Sequence, residues 1–531
     1  MSSLGRAVGV AAVATMLATT SPAAAFCGFY VAPTDAPLYN DASMVALMRS
    51  GTRTVLTMSN NYHGPAESFA MVVPVPVVLH AEDVKTLPLG IFRRLEALSA
   101  PRLVEYWEQD PCQDDVDDKS GGGAKHKGAE GVMSGPTKDE QNYGVKIEAS
   151  FVAGEYQVVV LGAEQSDGLE RWLHDNGYSI PENAGPALAP YIAEQQKFFV
   201  AKVDTTKVQH DASGAVVLSP LRFSYESEAF RLPVRLGLIN AQAKQDLIVY
   251  VLADRRYDVA NYPNVFVPTN IDVVDATRDA FGPFYAALFD ATMAKAGGRA
   301  VVTEYAWQSN QCDPCPTPPL GIADVSPLGG EFLFGMPHVE PVAGGSTING
   351  GADGYYGDGM GLVLTRLHTR YDKTTLSEDL VFRAAASVVG GREQVVDEET
   401  GEIEHGVHPD AQNNFQARYA IRHPWTGAVA CSQPQRGTWG GPPSGNGPSK
   451  VKPATDLASA PRGNLELASF VASPVEELSL RKWSPPAGTA PGRRWAVWKA
   501  ALLWELLPGA IGIALFVIAY RRGKKSSRPI A

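Results

Sequence analysis

Apolar and polar positions alternate over residues 52–58, with Arg53, Val55 and Thr57 on one side and Thr54, Leu56 and Met58 on the other. That period of two predicts a β-strand. The turn cluster Asn60-Asn61-Tyr62-His63-Gly64-Pro65 follows, and an apolar run returns over 69–79. Pro74 and Pro76 point their missing donors to the same side, so 73–77 is expected to be an edge strand. Residues 82–109 read as helical, with Ile91, Leu95 and Leu98 at helical spacing. A strand is expected within 145–161. The triplets Leu169, Trp172, Leu173 and Leu188, Tyr191, Ile192 then predict two short helices packed as a pair on a sheet. Further strands are expected at 198–204, 215–225, 231–239, 246–252, 299–307, 361–370, 379–389 and 414–423, with a helix near 275–296. The expected fold class is α+β: a β-rich ectodomain of two subdomains with several helices, plus a C-terminal transmembrane helix.

The two ends set the topology. Arg6 precedes an apolar run over 7–18, and Ala23-Ala24-Ala25 presents the small residues a signal peptidase accepts, so residues 1–25 read as a signal peptide. A second apolar stretch fills 497–520 and stops at Arg521, Arg522, Lys524 and Lys525, with Trp495, Trp498 and Trp504 towards its other end. Its length matches the roughly 30 Å of bilayer hydrocarbon, and the basic stop belongs on the cytoplasmic side. The expected location is the cell membrane: a single pass, a cytoplasmic tail at 521–531, and the bulk, 26–432, outside (periplasmic in an envelope of two membranes). Residues 433–463, rich in Pro, Gly and Ser, read as a flexible linker, and 433–496 as linker plus juxtamembrane segment. Residues 113–140, with Asp114, Asp115, Asp117 and Asp118 followed by Gly121-Gly122-Gly123, read as a flexible insertion.

Composition changes this picture only at its margins. A chain of 531 residues, 45% hydrophobic and 19% charged, is neither a disordered tail nor a polytopic membrane protein. Its net charge of −11 excludes a nucleic-acid binder; without Arg6 and the tail cations Arg521, Arg522, Lys524, Lys525 and Arg528 it falls to −17. The expected partners are the bilayer and an unknown envelope protein or ligand.

Five cysteines lie on the side expected to be exported, where thiols oxidise: Cys27, Cys112, Cys312, Cys315 and Cys431. They are expected to be structural disulfide cysteines, with one left over because five is odd. Cys27 with Cys112, and Cys431 with the 312–315 loop, are the expected pairs. Cys312-Asp313-Pro314-Cys315 has the spacing of a thiol–disulfide exchange motif. Exchange relies on a helix starting at the motif to lower the first thiol's pKa, and Pro316, Pro318 and Pro319 forbid one. Bracing is therefore the expected role.

Other chemistry is thin. His405 and His408 beside Glu402 and Glu404 make an H-x-x-H patch in a solvated acidic loop, and Asp353 and Asp358 sit in a glycine-rich stretch without the calcium-loop spacing. Gly357, Gly359 and Gly361 imitate part of a dinucleotide fingerprint outside its strand–helix context. His368 and His423 fall in strand patterns and read as surface or packing residues. No catalytic, cofactor-binding or metal residue is assigned, and no cofactor is expected.

Several motifs together resemble a bacterial family of exported proteins catalogued only as a domain of unknown function. They are Phe26-Cys27-Gly28-Phe29-Tyr30, the stretch from Asn60-Asn61-Tyr62 to Met71-Val72-Val73-Pro74-Val75-Pro76, Glu105-Tyr106-Trp107-Glu108-Gln109-Asp110-Pro111-Cys112, Cys312-Asp313-Pro314-Cys315 and Ile421-Arg422-His423-Pro424-Trp425. The resemblance spans residues 26–432 and implies an envelope location without an activity. The expected function is non-enzymatic binding or envelope organisation. The alternatives are a thiol–disulfide oxidoreductase using Cys312 and Cys315 and a divalent-metal hydrolase using His405, His408 or the aspartates.

Overall fold

The structure, a computed structural model, describes residues 29–31, 39–63, 69–112, 144–178, 184–210, 216–239, 244–339, 361–392, 404–442, 450–455 and 465–478. The leader at 1–25, the insertion at 113–140, the apolar stretch at 497–520 and the tail at 521–531 lie outside the described residues, as does Cys27. Among the described residues no helix is long and apolar enough to cross a membrane.

The architecture is β-rich, with mixed sheets and a few helices. The central sheet contains, in spatial order, Asn414–Gln416, Val301–Gln308, Val363–Tyr371, Gln245–Ala253, Tyr39–Ser50, Arg53–His63 and Leu221–Glu226 among its strands. Gln245–Ala253 is buried along its whole length and pairs parallel to Tyr39–Ser50 and antiparallel to Val363–Tyr371. A five-stranded sheet built on Ala70–Val75, Lys197–Val203 and Tyr156–Ala163 lies face to face with it, burying Val73, Val158 and Phe199 against Leu47, Phe223 and Val249. The outer face of that second sheet carries the two short helices, Ser166–Asp175 and Ala184–Ala193, through Leu169, Trp172, Leu188 and Tyr191. Helix Gly90–Ser99 covers the central sheet from the other side through Phe92, Leu95 and Leu98.

Two expectations change. Residues 82–109 are not one helix: the helix ends at Ser99, and Arg102–Glu108 is a strand. Pro101 forces Ala100 into an extended conformation (ψ 148°), which stops the helix before the aromatic run begins. The run at 73–77 does provide an edge: among the described residues Val73, Pro74 and Val75 pair only on the Lys197–Val203 side, and Phe29–Val31 covers the strand just before them, at Ala70 to Val72. Pro74 falls in that one-sided part, where a missing donor costs least. Within 231–239 only Arg231–Leu232 is extended, and Leu236–Leu238 is a 3-10 turn after Pro233.

The stretch read as linker also contributes structure. Trp439–Gly440 and Lys450–Pro453 both pair antiparallel with Arg102–Glu108. Residues 465–478 fold back onto helix Phe281–Lys295, seating Phe470, Val471 and Val475 beside Phe281 and Phe284. Backbone bonds from Val274 N–H to Phe470 and from Ala472 N–H to Asp272 hold this strap down.

Candidate binding face and its two disulfides

Arg102–Glu108 runs parallel to Arg418–His423, so two motifs more than three hundred residues apart lie side by side, Glu105 opposite Ile421 and Trp107 opposite His423. Alternation sends Leu103, Tyr419 and Ile421 into the core beneath helix Phe281–Lys295. The same side continues outward as Glu105, Trp107 and His423. The indole of Trp107 stacks on the His423 imidazole, centroids 4.7 Å apart and planes 18° from parallel. Arg278 grips Glu105 with both edges of its guanidinium, Nε to Oε1 at 2.8 Å and Nη2 to Oε2 at 2.9 Å, and His423 Nε2 lies 3.2 Å from Oε2. Arg278 chiefly, with His423 adding, holds the Glu105 carboxyl below the usual carboxylate range against the opposing effect of burial. His423 keeps 30% of its side chain exposed and Arg278 36%, so this constellation faces solvent.

On the reverse side Arg422 lies over the rings of Tyr106 and Trp439, and its Nε donates to Asp272. Glu108 clamps the two returning segments: it accepts from the backbone N–H groups of Trp425 (2.8 Å) and Gly437 (3.1 Å) and from Arg436. Those two backbone donors are the main reason its carboxyl is held low. Just beyond, Cys112 is bonded to Cys431, with Cα atoms 5.5 Å apart.

The opposite end of the strand pair rests on the Cys312-Asp313-Pro314-Cys315 loop. Arg102 is fully buried; Nη1 donates to Pro314 O (2.8 Å), Nη2 to Leu98 O (2.6 Å), and the guanidinium sits over the Tyr305 ring. Gln416 donates to the carbonyls of Asp313 and Gly391. Arg94 ties down the continuation through Thr317 Oγ1 and Pro319 O. Cys312 and Cys315 are bonded to each other. Both expected pairings are thereby corrected: Cys112 takes Cys431 instead of Cys27, and the 312–315 loop closes on itself. The physical reason is the parallel strand pair, whose extensions deliver Cys112 and Cys431 to one place. No helix starts at the motif; the next helical turn is Ile322–Val325. In the chain-entropy account a ring this short constrains the unfolded chain by about 2 kcal/mol, against about 6 kcal/mol for the Cys112–Cys431 loop. The long-range bridge is the brace.

The densest charge cluster is sealed. A bulge between Thr303 and Tyr305 inserts Glu304, whose carboxylate takes Arg366 Nε (2.6 Å), His368 Nδ1 (2.8 Å) and the Tyr285 hydroxyl (2.7 Å). His368 Nε2 reaches Asp246 at 3.0 Å, and its ring stacks on Phe289. Burial alone would raise Glu304, but His368 and Arg366 outweigh it and hold the carboxyl at about 2. Burial likewise opposes the charge on His368, yet Glu304 and Asp246 raise its pKa. With Glu304 at 0% and His368 at 1% exposure, no substrate reaches this network. It comes nearest the surface at Arg370, which lines a cleft of about 280 Å³ with Lys244 and Asp290.

The remaining sequence candidates among the described residues do not assemble. His408 Nε2 bonds the backbone carbonyl of His405, and Glu404 turns inward to pair with Arg392. Glu402, Asp353, Asp358, Gly357 and Gly359 lie outside the described residues. Among the described residues no group of three His, Cys, Asp or Glu side chains is placed to hold a metal. His368 is a buried ion-pair member and His423 a stacked, half-exposed residue. Arg278, which completes the face with Glu105, was missed; its helix-adjacent position carries no local signal of a partner 173 residues away.

A family model described as an uncharacterized protein conserved in bacteria matches residues 21–383. That span includes the Arg102–Glu108 strand and the 312–315 loop and ends before Arg418–His423. No curated protein and no solved structure matches the chain.

Proposed function

We propose that this chain, which belongs to the uncharacterised bacterial family DUF2330, is an exported, membrane-tethered binding protein that acts without catalysis and offers the Trp107–His423 face to an envelope protein. The observation that carries this reading is the convergence of two distant motifs into one solvent-facing cluster of stacked aromatics and paired charges, clamped from behind by Glu108 and by the Cys112–Cys431 bridge. Trp and Arg at such a rigid, half-buried patch are the residue types that dominate protein–protein binding energy. The tethering rests on the leader at 1–25 and on the apolar stretch at 497–520 with its basic stop. The oxidoreductase alternative lacks the helix that would activate Cys312.

A photoreactive amino acid in place of the half-buried Trp425, at the rim of the face, tests it in living cells. A discrete crosslinked product that disappears with Trp107→Ala, and that the same probe at exposed Val152 does not give, supports the reading. Equal products from both positions, or none from Trp425, reject it. Protease applied to intact spheroplasts tests the orientation; resistance until lysis would place the bulk of the chain on the wrong side.

A further inference from the structure

We propose that the Cys312–Cys315 bridge is a thiol–disulfide exchange site for an exported dithiol protein, and that opening it loosens the seat of the Arg102–Glu108 and Arg418–His423 strands. Cys315 is exposed, whereas Cys312 packs against the core cluster around Leu98 and Tyr305, so an incoming thiolate meets Cys315 Sγ. Being attacked needs access, which Cys315 has; a helix dipole would speed the departure of Cys312 as a thiolate by lowering its pKa, but the exchange proceeds without one, more slowly.

Two of the carbonyls in the ring, those of Asp313 and Pro314, accept from Gln416 and Arg102. Arg102 opens one strand of the binding face, and Gln416 stands two residues before the other. Among the described residues Arg102 Nε has no hydrogen-bond partner, so once Pro314 withdraws the buried guanidinium loses one of the two carbonyls its side chain donates to and keeps that of Leu98. A buried cation stripped of an acceptor is strongly unfavourable, so the ring's closure and the strands' seating are one linked equilibrium.

The partner's thiolate forms a bond to Cys315 Sγ; the Cys315–Cys312 bond breaks and its electron pair leaves on Cys312, which takes a proton from water. The partner's second thiol, deprotonated, attacks the partner sulfur of the mixed disulfide and expels Cys315 as a thiolate that is then protonated. The ring has gained two electrons and two protons, and the partner dithiol has become a disulfide.

The consequence for binding rests on the face assigned above, but the exchange itself does not, and the test separates them. Full-length protein is equilibrated across glutathione redox buffers, its thiols are trapped with a maleimide, and the labelled positions are mapped by peptide mass. The expected result is a state labelled at Cys312 and Cys315 with Cys112–Cys431 intact, in which amide exchange over 102–108 and 418–423 rises at least tenfold. A thioredoxin-like probe whose resolving cysteine is serine should be captured at Cys315 and not at Cys112. Opening of both bridges together, capture at Cys112, or unchanged exchange over the two strands would overturn the proposal. The Cys312→Ser/Cys315→Ser double variant should show the raised exchange without reductant; if it fails to fold, wild-type reduction still decides. Loss of the Trp425 crosslink with these outcomes intact would remove the binding reading alone.

Discussion

Glu304 is placed by a single inserted residue. Without the bulge its carboxylate would point to the other side of the sheet, away from Arg366 and His368. Glu304→Gln keeps the shape and leaves Arg366 buried without its closest counter-charge. The expected loss is about 3 kcal/mol by urea unfolding, whereas Arg171→Ala, which breaks an exposed i,i+4 pair with Asp167, should cost under about 0.5 kcal/mol. Comparable losses from the two would mean that burial does not set the strength of these pairs. Gly391 makes a second residue-scale case. At φ +69° it abuts the Gln416 backbone so closely that an added Cβ would lie 2.1 Å from the Gln416 oxygen. Gly297, at φ +81°, has open space around it. Gly297→Ala should cost about 1 kcal/mol from backbone strain alone, and Gly391→Ala clearly more, measured by thermal unfolding. Equal costs would show that the close approach is relieved by a backbone shift. Little of this was legible in sequence: His368 and His423 are both strand histidines within two residues of an arginine, and only the fold makes one a buried ion-pair member and the other a surface stack.

At the scale of elements, the strand pair Arg102–Glu108 and Arg418–His423 carries the most consequence and was half readable. The second strand was expected within 414–423, while the first was absorbed into a helix because Ile91, Leu95 and Leu98 set a period that Pro101 interrupts. Parallel pairing between distant segments leaves no pattern in either one. The two strands inside 433–463 escaped for another reason: two- and four-residue pieces hardly change a Pro/Gly-rich composition. The cysteine pairing followed the same logic, since connectivity depends on which strands become neighbours. If Cys112–Cys431 is the brace, Cys112→Ser/Cys431→Ser should lower stability by about 2–5 kcal/mol and raise amide exchange first around Glu108 and Trp425. A double variant as stable as the parent, with exchange there unchanged, would remove the bridge from the account of the face.

For the molecule as a whole, the depressed carboxylates and the raised histidine pull pH dependence in opposite directions. Glu304 and Glu331 are held at about 2, and Glu105, Glu108 and Glu148 also lie below their ordinary value. A lowered carboxyl pKa gives stability that is complete above the unfolded value, about 4.3, and is lost as pH falls through the folded one. His368 works the other way: its raised pKa gives stability that is complete below the unfolded value, about 6.5, and is lost as pH rises through the folded one. Thermal stability should therefore be greatest at about pH 5–6, fall steeply in acid and decline more gently above neutrality. Glu304→Gln should weaken both limbs. An alkaline limb that stays flat in the parent would show that His368 is not charged in the folded state. The β-rich class, the helix pair and most central strands were readable because their periodicities are local; the order of strands in the sheets was not.

The Cys112–Cys431 bridge spans 319 residues of chain, and that distance is also a delay. At roughly 5–20 residues per second, synthesis needs on the order of half a minute to produce the second sulfur after the first. Throughout that interval the Trp107 strand exists without its parallel neighbour, its apolar side uncovered. Whatever escorts this polypeptide on its way to maturity has to shield that strand until nearly four-fifths of the protein has been made.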